Sequence, residues 1–114
     1  MDQSGYINIV ITFYNGLMIE FGKMHLWYDH LDENHHYGTI KMNSTFINMK
    51  PSIFLTRDNH VNEQIAKGLY YHIEDTPEMR YDNFTVYAEN EDTLRYGIYG
   101  SYMAVGFWKI PSIN

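Results

Sequence analysis

The dipeptide Asn15-Gly16, set between two runs of alternating apolar residues, constrains this chain more than any other feature. Asn-Gly supplies the left-handed backbone that tight β-hairpins need, and the flanking runs say where the strands lie. On the N-terminal side Ile7, Ile9, Ile11 and Phe13 share one parity, while Asn8 and Thr12 interrupt the other. That pattern predicts a half-buried strand. A two-residue loop would set Ile11 against Glu20 and Ile9 against Gly22, mixing the faces. A three-residue loop, Tyr14-Asn15-Gly16 with Gly16 left-handed, sets Phe13 against Leu17, Ile11 against Ile19 and Ile9 against Phe21. Only the second register makes one unbroken apolar face, and it is the expected one.

Beyond Phe21 the apolar parity changes to Met24, Leu26 and Tyr28, so Gly22 is the expected site of a bulge that resets the face. Residues 29–36 are polar and read as a loop. Short strands are expected at 39–42, 46–49 and 53–56, with Pro51 confining the last to an edge or an end. Over 61–74, Val61, Ile65, Leu69 and Ile73 recur every four residues with Asn62, Glu63 and Lys67 between them, which predicts an amphipathic helix. Asp58 or Asn59 would cap it and Thr76-Pro77 would end it. Gly100-Ser101 suits a type II′ turn, pairing Ile98 with Met103, Tyr96 with Val105 and Leu94 with Phe107. A strand over 81–88 then joins through a five-residue loop, setting Phe84, Val86 and Ala88 on the same face.

The expected architecture is therefore α+β: an antiparallel sheet built from an N-terminal hairpin and a C-terminal three-stranded meander, covered by one packed amphipathic helix. At 114 residues without a linker or repeat, the chain is expected to be a single domain over 1–114. Hydrophobic residues make up 45%, enough for a core without a metal or disulfide. A formal charge of −6, with only 8 Lys and Arg, argues against duplex nucleic acid and anionic membranes as partners. The chain has no Cys, which excludes thiol catalysis and Cys-ligated zinc. The run 7–14 is too short for a signal or membrane-spanning core, so a cytoplasmic, intracellular location is expected, with a virion as the other.

Candidate chemistry is sparse. His25, His30, His35 and His36 with Asp29, Asp32 and Glu33 have the ligand types of a Cys-free metal site, but their spacing matches no compact motif. A solvated polar loop explains them better, and no cofactor is expected. No nucleophile elbow occurs, and Gly97, Gly100 and Gly106 do not form a phosphate loop. The acidic groups around residues 29–33, 74–82 and 89–92 are too dispersed for a phosphate mimic. The more informative feature is aromatic: in the meander register Tyr81, Tyr87, Tyr99 and Tyr102 share a face floored by Gly97, Ala104 and Gly106. Tyrosines over small residues make a contact surface of low entropic cost, unless that face is itself a second core.

These features point to a small acidic non-catalytic protein-binding module that meets another protein, or itself, through Tyr81, Tyr87, Tyr99 and Tyr102. A self-associating virion or appendage subunit is the alternative, and a small His- or metal-dependent enzyme the third. In Asn/Ile/Tyr bias the chain resembles, in general character only, proteins of phages and other mobile elements from AT-rich hosts. That resemblance implies an inhibitor that blocks a host enzyme by direct contact.

Overall fold

A computed structural model describes residues 2–4, 6–28, 35–57, 66–90 and 98–111. These form eight strands in chain order: β1 (Asp2–Ser4), β2 (Tyr6–Thr12), β3 (Leu17–Tyr28), β4 (His35–Ile47), β5 (Ser52–Arg57), β6 (Ala66–His72), β7 (Arg80–Asn90) and β8 (Ile98–Phe107). Apart from the short parallel pairing of β1 with β4, every pairing is antiparallel. One sheet runs β2-β3-β8-β5, the other β4-β7-β6 with β1 on the free side of β4. They join where Trp27 and Tyr28 at the end of β3 pair with Tyr37 and His36 at the start of β4.

The first hairpin has the expected register. Ile11 pairs with Ile19 and Ile9 with Phe21. Phe13 N–H donates to Leu17 O at 2.9 Å, Gly16 N–H donates to Phe13 O at 3.0 Å, and Gly16 has φ +104°. Asn15 Oδ1 accepts from Leu17 N–H, so the turn is closed by its own side chain.

The α+β class is wrong: among the described residues there is no helix, and the fold is all-sheet. Within the expected helix, Ala66–His72 is β6, paired with β7; residues 58–65 lie outside the described residues. A four-residue apolar spacing belongs to the strand period as well as to the helix period, so Leu69 and Ile73 fit both. Gly68 disfavours the helix, the pair Tyr70-Tyr71 favours the strand, and a neighbouring edge on β7 to pair with decides the matter. The meander is also corrected. Ile98–Phe107 is one unbroken strand that passes straight through Gly100-Ser101, pairing with β3 on one side and β5 on the other. Gly100 is there for room: a Cβ at this position would lie 2.5 Å from Thr56 O and 2.9 Å from Met24 Cε. Of the expected middle strand, Leu94 and Tyr96 lie outside the described residues while Ile98 begins β8, and β7 pairs with β4 and β6.

Nor does Gly22 reset a face. β3 stays in register with β8 from Leu17 to Leu26, and Gly22 lies under the Tyr102 ring, where a Cβ would come within 2.5 Å of it. The expected strand 39–42 and the first half of 46–49 belong to the single strand β4, which ends at Ile47 and whose pairing with β7 shifts register between Lys41 and Phe46. β4 also takes up His35 and His36, which the sequence assigns to a loop.

The core lies between the two sheets. Met18 and Met24 of β3, Ile53 of β5 and Tyr102 and Ala104 of β8 face Ile40, Met42 and Phe46 of β4 and Phe84 and Val86 of β7. Across the gap Phe84 packs edge-on to Tyr102 at 5.2 Å, and Gly106 leaves room for the Phe46 ring.

Candidate protein-contact face

Alternation along β3 fixes what each side of its sheet offers. Met18, Glu20, Gly22 and Met24 are buried, so Leu17, Ile19, Phe21, Lys23 and His25 point away from the second sheet. The cross-strand pairs carry this outer face sideways. Ile11 and Ile9 of β2 lie beside Ile19 and Phe21; Phe107, Val105 and Met103 of β8 lie beside Leu17, Ile19 and Phe21; and Phe54 of β5 lies beside Met103. The result is a contiguous apolar surface across four strands. Ile9 is 56% exposed, Phe54 54% and Phe21 40%.

The first hairpin's apolar face is therefore the outer one. The sequence leads one to expect it in the core, because outer positions carry Ile and Phe while inner ones carry Glu20, Gly22 and Gly106. Burying the inner face is possible because Glu20 is fully satisfied. Its carboxylate accepts from Ser44 N–H at 2.9 Å, Asn43 N–H at 3.2 Å, Asn8 Nδ2 at 3.0 Å and Tyr102 Oη at 2.5 Å. Asn43 and Ser44 sit where the β4–β7 ladder shifts register, so a carboxylate from the opposite sheet takes up amides that the shift frees from regular pairing. Burial, then the hydrogen bond and charge of Glu20, hold the Tyr102 phenol well above its ordinary pKa. Glu20 is completely buried, and its carboxylate joins the two sheets.

At one end the outer face runs into an aromatic corner. Trp108 N–H donates to Gly16 O at 2.9 Å and its Nε1–H to Phe13 O at 3.0 Å, tying the end of β8 to the hairpin turn. Thr12, Phe13, Tyr14, Trp108 and Lys109 line an open cleft of about 540 Å³ there. Tyr14 is 97% exposed, and Lys109 Nζ lies 4.9 Å from the Trp108 ring centroid.

The four expected contact tyrosines are not brought together. Tyr102, 2% exposed, and Tyr81 belong to the core. Tyr99 lies on the outer face of β8, stacked on His25 with ring centroids 4.1 Å apart, and is not opposite Tyr102. Tyr87 is exposed on β7 in the other sheet, beside Tyr70. Ala104 and Gly106 line the interior with Tyr102, while Gly97 lies outside the described residues. Of the histidine cluster, His30 with Asp29, Asp32 and Glu33 lies outside the described residues. Among those described, no group of three or more His, Asp or Glu could hold a metal ion.

The chain matches no protein-family model, no curated protein and no solved structure.

Proposed function

We propose that the protein is a non-catalytic binding module that docks another protein on the outer face of the β2-β3-β8-β5 sheet. One observation carries this: a contiguous exposed face built from Ile9, Ile11, Phe21 and Phe54 that bears no carboxylate, in a chain with 14 acidic residues. Monomeric surfaces seldom expose apolar patches beyond a few hundred Å² unless something covers them. Phe13, Phe21 and Phe54, roughly half exposed, each offer on the order of 100 Å² of aromatic surface. Among the described residues the charged groups beside the patch are cations, Lys23 on β3, whose Nζ donates to Ser101 Oγ, and Lys109 at the aromatic corner. A partner of matching chemistry presents an apolar patch rimmed by carboxylates.

The form of activity we propose is inhibition of an enzyme by direct contact inside the cell. The general resemblance to proteins of phages and other mobile elements is what supports that form, and the contact face supports the binding. A self-associating structural subunit is the second reading, favoured by one observation, the uncharged edge of β2 that no other strand pairs with among the described residues.

The test is capture from the source cell with the parent, Phe21→Lys, Phe54→Lys and Tyr87→Ala proteins, after circular dichroism has shown all four folded. A protein recovered by the parent and by Tyr87→Ala, and lost with both lysine variants, is the expected result. Equal recovery by all four would overturn the reading.

A further inference from the structure

We propose that β2 pairs antiparallel with β2 of a second copy of this chain, about a two-fold axis through Val10. This rests on the edge of the sheet and is independent of the partner reading of its face.

Among the described residues β2 pairs with β3 alone, which leaves its other edge open. Sheet edges are normally blunted by charge or proline. The open edge strands β5 and β6 carry Arg57 and Lys67, and Pro51 immediately precedes β5. β2 reads Tyr-Ile-Asn-Ile-Val-Ile-Thr, with no charge, proline or glycine.

The turn fixes which backbone groups face the open edge. Phe13 exchanges hydrogen bonds with the turn and Leu17, and an antiparallel ladder alternates. Ile11 and Ile9 therefore direct their N–H and C=O towards β3, while Val10 and Thr12 direct theirs outward. Val10 sits in the middle of a stretch that reads alike in both directions, Asn8-Ile9-Val10-Ile11-Thr12. In an antiparallel copy centred there, Val10 faces Val10 and the two exchange N–H···O=C bonds. Ile9 then faces Ile11 on the outer side, apolar against apolar, and Asn8, whose side chain reaches Glu20 and Tyr102 on the inner side, comes opposite Thr12 at the end of the pairing, next to the register shift between Tyr6 and Ile9. A strand of arbitrary sequence would not match itself so well.

Val10 is 41% exposed although it lies on the inner side, so β2 projects past the cover of the second sheet and a neighbouring strand can reach it. No carboxylate lies on this strand, so two copies of an acidic chain meet here without opposed charges on the paired strands. The isologous pairing closes on itself and sets the two apolar outer faces side by side in one continuous sheet.

Light scattering and native mass measurement test this. The parent should have twice the 13.6 kDa chain mass at high concentration and the single mass on dilution. Val10→Lys sets two cations against each other and should be monomeric, as should Val10→Glu. An equimolar mixture of these two variants should recover the dimer as a heterodimer. Phe54→Lys, on the far side of the sheet, should stay dimeric. In the parent, the Val10 and Thr12 amides should exchange with solvent faster on dilution, a readout that needs no variant. A parent that is monomeric up to its solubility limit, or amide exchange independent of concentration, overturns the proposal. So does a dimer that Phe54→Lys abolishes and Val10→Lys leaves intact, since that is face-to-face stacking.

Discussion

Replacing Glu20 by Gln should destabilise the protein by about 2–4 kcal/mol, more than most surface changes cost. One carboxylate oxygen accepts from Asn8, Tyr102 and Asn43, the other from Ser44. Gln has one carbonyl oxygen, so its amide nitrogen must face at least one donor. Placed with its oxygen towards the three donors, it leaves the Ser44 N–H unsatisfied in the interior, a loss of about 1–3 kcal/mol, and replaces charge-assisted bonds by weaker neutral ones. Glu20→Met removes the acceptor altogether and strands two backbone amides, so its cost should be larger, about 4–6 kcal/mol, less whatever is recovered by no longer burying a charge. Against a total stability of roughly 5–15 kcal/mol, the Met variant approaches unfolding. Urea denaturation followed by the fluorescence of the two tryptophans and by circular dichroism measures both. Pairing Glu20→Gln with Tyr102→Phe should cost less than the sum of the single changes, because the two groups share a bond. A Gln variant within half a kcal/mol of the parent would refute the idea that this carboxylate holds the sheets together.

Further outcomes follow from the same geometry. Phe46→Ala, in the fully buried core, should cost about 3–5 kcal/mol, while Phe54→Ala on the outer face should stay within about 0.5 kcal/mol by the same denaturation; comparable losses would mean the faces are assigned the wrong way round. Gly16→Val should cost about 1 kcal/mol or more and lower the melting temperature, since φ is +104° and a Cβ would meet Lys109 O at 2.8 Å. The hydrogen bond from Lys41 holds the Asp82 carboxyl below its usual pKa, so this pair contributes above the unfolded carboxylate value near 4 and its contribution is lost as pH falls through the lower folded value. Both side chains are partly exposed, so Asp82→Asn should cost under about 1 kcal/mol at pH 7, and the gap to the parent should close in acid denaturation series towards pH 2.

Turn chemistry and strand period are local, and what they control could be read from the sequence. Asn15-Gly16 demands a left-handed residue, only one loop length aligns Ile11 with Ile19, and the structure has that register. The strand starting beside Pro51 was legible for the same reason. Which face of a strand is buried is not a local property. The Ile and Phe parity of β2 and β3 looks like a core in isolation. It lies outside because the Glu20 side meets amides freed by the register shift in β4, because Gly106 leaves room for the Phe46 ring of the second sheet, and because Gly22 leaves room for the Tyr102 ring of the neighbouring strand. Tertiary pairing likewise turned an i, i+4 apolar pattern into β6, since that spacing is common to both periods and a strand edge on β7 was there to receive it. Gly100-Ser101 has turn chemistry, yet ladders to β3 and β5 on both sides hold the chain straight through it. Hydrogen bonds to two neighbouring strands outweigh the weak preference of a dipeptide, and those neighbours lie dozens of residues away along the chain.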